Sequence, residues 1–545
     1  MPSALSKWHG NPWAILITLS LGFFMTLLDL TIVNIAIPSM ITDLDASLDE
    51  ILWIVNAYVL VLAVLLITAG RLGDLRGQRP LFVAGVVVFT LASLACGLSP
   101  NPTLLIAFRA VQGAGAALLM PQTMAIIIGT FPADRRGTAL GIWGAVAGLA
   151  TVAGPTLGGV LVTYASWRWI FIVNVPVGLL VLVMTFAFIP DTRMQREHKL
   201  DLLGVALATA GLFCLTFALI EGQRYSWNGA IDALFVAAAV LTVVFLLQQR
   251  ARQDAEPLVP FSLFRNRNFT VINGVATLVS VAILGFFLPF TIYLQSVLGY
   301  SAIKAGLILA PMSVIALVLA PIAGKMSDRV GGKYILMTGL ALYGLGAGIL
   351  VAQSSTGSDW PSFMPAIAVM GLGMGGIWAP MATETMRGVP MALAGAASGV
   401  NNTLRQVGSV VGSAAVGALL QNQLATTLRD EATTRAAALP PDVRSRFVEG
   451  FAASAKGGVE VGPSHASAPS GVPAELAAKI QQVAQDVFQH GYVRAMHPTL
   501  VLPVAAAFLA SALCLLATRH TTSPQAGTAT TSPSAEGAPA APAAA

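Results

Sequence analysis

The chain has 545 residues, of which 56% are hydrophobic and 10% charged, with a mean hydropathy of +0.76. Soluble domains carry about 45–50% apolar and about 25% charged residues, so this composition excludes a soluble enzyme and leaves a polytopic helical membrane protein. The net charge of +5 does not indicate nucleic acid, because the basic residues are scattered over short connections and form no patch alternating with aromatics.

In chain order, apolar stretches of about 20 residues, the length that spans a bilayer as a helix, recur from Trp13 onward. They predict six spans at 13–40, 51–70, 81–98, 104–128, 139–161 and 170–189, then two at 202–220 and 230–247. Six more follow at 270–297, 305–324, 334–352, 364–386, 396–420 and 500–517, giving fourteen. The expected organisation is an N-terminal segment over 1–12, a six-helix bundle over 13–189 and a linker over 190–268 holding the two extra spans. A second six-helix bundle over 269–518 includes a long external loop at 421–498, and a disordered tail of small and polar residues fills 519–545. The first span is too long for a signal-peptide core and is expected to stay as an anchor.

Lys and Arg concentrate on the cytoplasmic side of short loops. With the N-terminus inside, the inner segments hold Lys7, Arg71, Arg76, Arg79, Arg135, Arg136 and further basic residues through Arg387 to Arg519, whereas the short outer loops hold only Arg168, Arg224 and Lys304. Both termini are therefore expected in the cytoplasm. Within the long loop, Leu476, Ile480, Val483 and Val487 recur at helical spacing after Pro473, which predicts an amphipathic helix resting on the outer face of the bundle or the membrane surface, with a dedicated partner-docking element as the alternative.

Two inner loops repeat one pattern. Gly70, Asp74, Gly77 and Arg79 stand at the same offsets as Gly324, Asp328, Gly331 and Lys333, each set after the second span of its group of six. Glycines there let helices approach and turn tightly, and each Asp can cap a helix N-terminus or pair with a neighbouring Arg, forming a polar clasp that opens as the halves rock.

With Leu28-Asp29-Leu30-Thr31 leading to Pro38, and Arg109, Gln112, Gly113 and Gly115 in the fourth span, the sequence resembles the major facilitator superfamily. Within it, the likeness is to the fourteen-span drug:proton antiporters of the EmrB/QacA type. Gly154-Pro155 with Gly158-Gly159 is similar to the antiporter motif of the fifth span, with Ala150 where a further glycine is often found. Ser166 to Phe171, Asn174, Pro176, Tyr293 and Gln295 also look like this subgroup. The resemblance implies an all-α fold of two six-helix bundles plus two inserted spans, proton-coupled export by alternating access, and a coupling role for Asp29 and Arg109.

Charges inside a membrane are costly and mark functional candidates. Asp29 lies about 16 residues into its span, about 24 Å from the inner face at about 1.5 Å per residue; Arg109 lies about 10 Å below the outer face. In a core about 30 Å thick these depths are similar, so the two can pair. Burial raises a carboxyl pKa and a nearby Arg lowers it, so a conformational change altering either would load and release a proton; a permanent ion pair fixing helix packing is the structural alternative. In the thirteenth span Asn401 with Arg405, and Asn402 with Gln406, form i,i+4 pairs that either face substrate or hydrogen-bond between helices. Further candidates for a cavity between the halves are Trp53, Asn56, Tyr58, Gln112, Trp143, Tyr293 and Gln295.

No Walker loop occurs, so ATP is not expected to drive transport, and the G-x-G-x-x-G match at 371–376 falls inside an apolar span with no preceding strand. The six histidines lie outside the spans without metal-ligand spacing, and Cys96, Cys214 and Cys514 sit in apolar stretches, so no metal or cofactor is expected. The expectation is a bacterial inner-membrane transporter working as a monomer on small amphipathic molecules and protons in the bilayer, with the proton gradient as energy source. A dedicated exporter of an endogenous metabolite, such as a siderophore, lipid or self-made antibiotic, and a transporter-derived sensor are the alternatives.

Overall fold

The computed structural model describes residues 8–46, 48–132, 135–191, 201–222, 225, 227–255, 257–456 and 474–518. The tail expected over 519–545 and most of the N-terminal segment lie outside the described residues, as does the side chain of Pro155.

The first bundle contains α1 (Pro12–Leu44), α2 (Leu48–Arg76), α3 (Gln78–Gly97), α4 (Pro102–Thr130), α5 (Arg136–Tyr164) and α6 (Asn174–Phe188). The inserted pair is α7 (Leu202–Glu221) and α8 (Gly229–Ala251). The second bundle contains α9 (Arg267–Ile292), α10 (Ala302–Val330), α11 (Lys333–Gln353), the broken pair α12 (Met364–Gly375) and α13 (Trp378–Met386), and α14 (Ala394–Arg435). It continues through α15 (Pro441–Lys456) to α16 (Ala474–Leu513). Thirteen helical stretches among the described residues are long and apolar enough to cross a membrane. Helix α5, 29 residues long, stands where the fifth expected span falls.

Side-chain caps set many of the helix starts. Asn11, Asn101, Asp201, Asn228, Asn266 and Ser301 each accept from backbone amides of the first turn, satisfying donors that have no intrahelical partner. Each bundle encloses its own apolar cluster, and the bundles meet along two seams, α2 against α14 and α5 against α10. The inserted hairpin packs on itself and lays α7 against α2, with Trp53 of α2 meeting Phe217 of α7 at 5.6 Å between ring centroids.

Of the segment expected as an external loop at 421–498, the described residues, 421–456 and 474–498, are largely helical. Helix α14 has 42 residues, about 63 Å of helix at about 1.5 Å per residue, so it runs well past a core about 30 Å thick. The predicted amphipathic stripe packs on a helix of the bundle and not on the membrane surface. It is the first half of α16, a continuous 40-residue helix whose Pro498 and Pro503 do not end it. Ile480, Val483, Ala484 and Val487 are buried in one cluster with Leu424, Leu428 and Ala432 of α14, so the stripe is spent on a helical partner and not on lipid. Thr427 donates from Oγ1 to the Gly491 carbonyl at 3.0 Å, and Glu431 holds both Arg435 and Arg494 at 3.0 and 2.9 Å. The two helices form a stalk.

Candidate functional site

The repeated loops form a matched pair of clasps. Gly77 and Gly331 both take left-handed backbone, at φ 99° and 87°, the turn that needs no Cβ and ends α2 and α10. Just before these turns, Asp74 accepts from the amides of Gly395 and Ala396, both at 2.7 Å, in the first turn of α14. Asp328 accepts from the amides of Gly137 at 2.7 Å and Thr138 at 3.1 Å, in the first turn of α5. Each carboxylate thus caps a helix of the opposite half, where orphan N–H groups and the helix dipole favour negative charge. The chains touch backbone to backbone at these points: a Cβ on Gly70 would stand 2.5 Å from the Gly395 carbonyl oxygen, and one on Gly324 would collide with the Gly137 carbonyl. The repeat predicted capping Asp residues; that the caps cross between halves was outside the reach of a local pattern. Arg79 sits 5.6 Å from the Phe186 ring at the end of α6, while its counterpart Lys333 donates to the Leu515 and Ala517 carbonyls at 2.8 and 2.6 Å.

Asp29 and Arg109 do meet, as their depths allowed. They form a fully buried ion pair between α1 and α4. Gln112 donates to Asp29 Oδ1 at 2.9 Å and Asn174 of α6 reaches the same oxygen at 3.4 Å. Gln112 and Asn174 also donate to Ser93 Oγ of α3, at 3.1 and 3.0 Å, and Ser93 donates to the Phe171 carbonyl at 2.9 Å. Arg109 does not depend on the carboxylate alone: it donates to the Ile54 carbonyl at 3.0 Å and Gln112 Oε1 at 2.8 Å, and lies 4.4 Å from the Tyr58 ring and 5.7 Å from that of Phe171. The cluster is the polar centre of the first bundle. Ser93 is a serine with Thr90 one turn before it in an apolar stretch, and nothing in the local sequence distinguishes it as part of this cluster.

A cavity of about 760 Å³ lies between the halves. Leu27, Leu30, Thr31 and Ile35 of α1 form one wall, and Asn402, Arg405, Gln406 and Ser409 of α14 another. Ser280, Phe287 and Gln295 of the α9 region and Trp378 of α13 add to its polar and aromatic lining. Helix α1 therefore carries Asp29 on the face turned into its own bundle and Leu27, Leu30 and Thr31 on the face turned to the cavity.

Of the residues expected in the cavity, Gln295, Asn402, Arg405 and Gln406 line it, and the others pack elsewhere. Tyr58 is buried beneath Arg109 and donates to the Thr26 carbonyl at 3.2 Å. Gln112 belongs to the Asp29 cluster. Trp143 stacks on Phe23 at 4.2 Å, Tyr293 donates to the Ser355 carbonyl at 2.6 Å, and Asn401 donates to Asn273 Oδ1 at 3.0 Å, binding α14 to α9. Trp53 faces α7, and Asn56 is half-buried on α2 outside the cavity lining. Tyr58, Gln112, Trp143, Tyr293 and Asn401 find their partners inside their own bundles, and Trp53 finds its partner on the inserted hairpin. Trp378, which was not anticipated, is the principal aromatic of the cavity; it stands just past the α12–α13 break, which the glycine-rich run at 371–376 signals.

In the fifth span a Cβ on Gly154 would collide with Thr31, and one on Gly158 would lie 2.9 Å from Ile32 Cγ1, so these glycines set the close approach of α5 to α1; Gly159 is buried beside them. Thr31 also contacts the Ala150 carbonyl at 3.3 Å through its hydroxyl.

The model of the Major Facilitator Superfamily matches residues 19–413 of this chain. The chain belongs to that superfamily. It is therefore a multi-pass membrane transporter and not an enzyme, with small molecules as its partners. It is 35% identical over 431 residues to the tetracenomycin C resistance and export protein of Streptomyces glaucescens, covering 78% of each chain. To the multidrug resistance protein Stp of Mycobacterium tuberculosis it is 34% identical over 421 residues, covering 76% of each. Among solved structures, the proton:xylose symporter XylE superposes with a TM-score of 0.54 at 14% identity, covering 82% of this chain and 94% of that one, a likeness of fold. The superfamily's members similar in sequence to this chain include drug and antibiotic resistance exporters.

Proposed function

We propose that this superfamily member is a proton-coupled antiporter that exports amphipathic drugs or antibiotics across the bacterial inner membrane by alternating access, as a monomer with both termini in the cytoplasm. The observation that carries the reading is the position of Asp29: a carboxylate buried in one bundle, on the helix that also walls the cavity between the two. The tetracenomycin C exporter and Stp support the direction and the cargo.

Proton binding to Asp29 removes its attraction for Arg109, while the Ile54 carbonyl, Gln112 Oε1 and two ring faces remain to hold the guanidinium in place. Asp29 can then leave the cluster without stranding the arginine. Helix α1 would carry that release to the cavity wall, and the clasps at Asp74 and Asp328 would open or close in step. The proton gradient supplies the energy.

The test uses inverted membrane vesicles carrying the full chain. On imposing a proton gradient, dyes and antibiotics are expected to accumulate, with loss on adding a protonophore and in Asp29→Asn. Gradient-independent uptake, or full uphill uptake by Asp29→Asn, overturns the coupling. A dedicated exporter of one metabolite is the second reading, favoured by the single-compound name of the Streptomyces relative; a panel in which one compound alone is moved would select it.

A further inference from the structure

The cavity contains one ionisable side chain, Arg405, and no Asp, Glu, His or Lys among its lining residues. A guanidinium stays protonated at any ordinary pH, and in a membrane interior it is stable only with compensating partners. Arg405 has few. Its guanidinium lies 4.5 Å from the Trp378 ring, and its Nε is buried with no hydrogen-bond acceptor. Trp378 Nε1 is likewise buried without an acceptor. The buried carboxylates of α1 and α13 are committed elsewhere: Asp29 to Arg109, and Glu384 to Arg387 at 3.1 Å, the Gly332 amide at 2.6 Å and Asn268 at 3.2 Å. An unmet cation and an unmet indole N–H thus meet at the wall of a large apolar cavity.

We infer that the cavity is an organic-anion site, taking ligands that carry one oxyanion, a carboxylate or an acidic phenolate, on a flat aromatic body. The oxyanion supplies the acceptors that Arg405 lacks, in the forked geometry that guanidinium offers. Gln406 and Gln295 add neutral polar groups, and the body lies against Trp378, Phe287 and Met312. A cationic amphiphile with the same body meets a like charge and no carboxylate, so the site selects by repulsion as well as attraction. This inference rests on the cavity being the transport site, and it narrows the cargo from amphiphiles in general to anionic aromatic ones.

The test compares three probes with one body and different heads: 2-naphthylacetate, 2-naphthylethanol and 2-naphthylethylammonium. Binding to the purified full-length protein in nanodiscs is measured by quenching of tryptophan fluorescence, with empty nanodiscs subtracted. The acetate is expected to bind at least about tenfold tighter than the alcohol, a difference of about 1.4 kcal/mol, and the ammonium more weakly than either. Arg405→Gln should erase the acetate's advantage and Arg405→Lys should keep part of it. Trp378→Phe should weaken all three probes while preserving their order. Equal or tighter binding of the ammonium by the wild-type protein overturns the inference without reference to any variant, as does an acetate preference that survives Arg405→Gln. Because binding is read without a gradient, the two readings fail separately. Gradient-driven uptake of cationic dyes alone would sink the anion site and leave export standing, whereas acetate-selective binding without transport would do the reverse.

Discussion

Arg109 and Arg405 are the same side chain in the same membrane, yet their surroundings are opposite. Arg109 is enclosed within one bundle by a carboxylate that neutralises it and by a carbonyl, an amide oxygen and two rings that solvate it. Arg405 stands on the wall between bundles with one ring beside it and no carboxylate. The contrast separates two uses of buried charge. A cation with redundant partners allows its acid to come and go, whereas a cation without them is completed by a ligand.

Substitutions that treat the two sites alike should have opposite effects. The largest expected loss is in Asp29→Asn, where uphill accumulation in inverted vesicles falls to the level left by a protonophore while naphthylacetate binding at Arg405 persists. Next is stability. Arg109→Gln strands a buried carboxylate and should lower unfolding free energy by about 3–5 kcal/mol, recovered in large part by the double variant with Asp29→Asn. Arg405→Gln removes an uncompensated charge and should leave the empty protein unchanged or more stable by about 1–3 kcal/mol, read as the midpoint of thermal unfolding in detergent. A destabilised Arg405→Gln would mean that the resting protein already satisfies this arginine, which would erase the contrast.

The pairing of Asp29 with Arg109 was legible because helix rise turns residue numbers into depth, and two charges at one depth in a low dielectric attract. The bundle count and the repeated loops were legible for similar reasons, as periodic or duplicated patterns. The partners of Asp74 and Asp328 were not, since each lies in the opposite half, more than 190 positions away along the chain for Asp328 and Gly137. The cavity was only partly legible. Arg405 and Gln406 stand out as polar residues in an apolar span, but much of the wall is Leu, Met and Ser, which look the same in sequence whether they face a neighbour or a cavity. The stalk is not legible because Pro498 marks the end of the external loop expected before the span at 500–517, whereas α16 carries that proline in its interior.

A smaller effect is expected at the clasps. Asp74→Asn keeps the shape of the cap and loses its charge, so the seam between α2 and α14 should open more often. A cysteine placed at Ser398, now fully buried and bonded to the Pro121 carbonyl at 3.0 Å, should react severalfold faster with a water-soluble maleimide in that background. An unchanged rate would mean that the apolar seam alone keeps this face shut. The smallest effect belongs to Asp201 at the start of the inserted hairpin. Burial opposes its ionisation, but donors from Gln248, the Gly204 amide, Gln249 and Arg252 outweigh that and hold its carboxyl below the ordinary 3.8. Its contribution is present above that ordinary value and is lost as pH falls through the lower, folded one, so Asp201→Asn should lower the thermal unfolding midpoint at neutral pH and flatten its fall in acid, the variant and the wild type converging below about pH 4.

The two cross-half caps also set a resting population. A carboxylate at a helix N-terminus contributes about 1–2 kcal/mol net of rehydration in a partly buried setting. Both caps must break for this face to open, and at about 1.4 kcal/mol per tenfold they bias the empty protein roughly 30- to 700-fold toward the conformer with this face sealed. Idle molecules would thus wait facing the other way, and each cycle would begin by working against that bias, so loosening one cap should raise the leak of protons before it changes which compounds are carried.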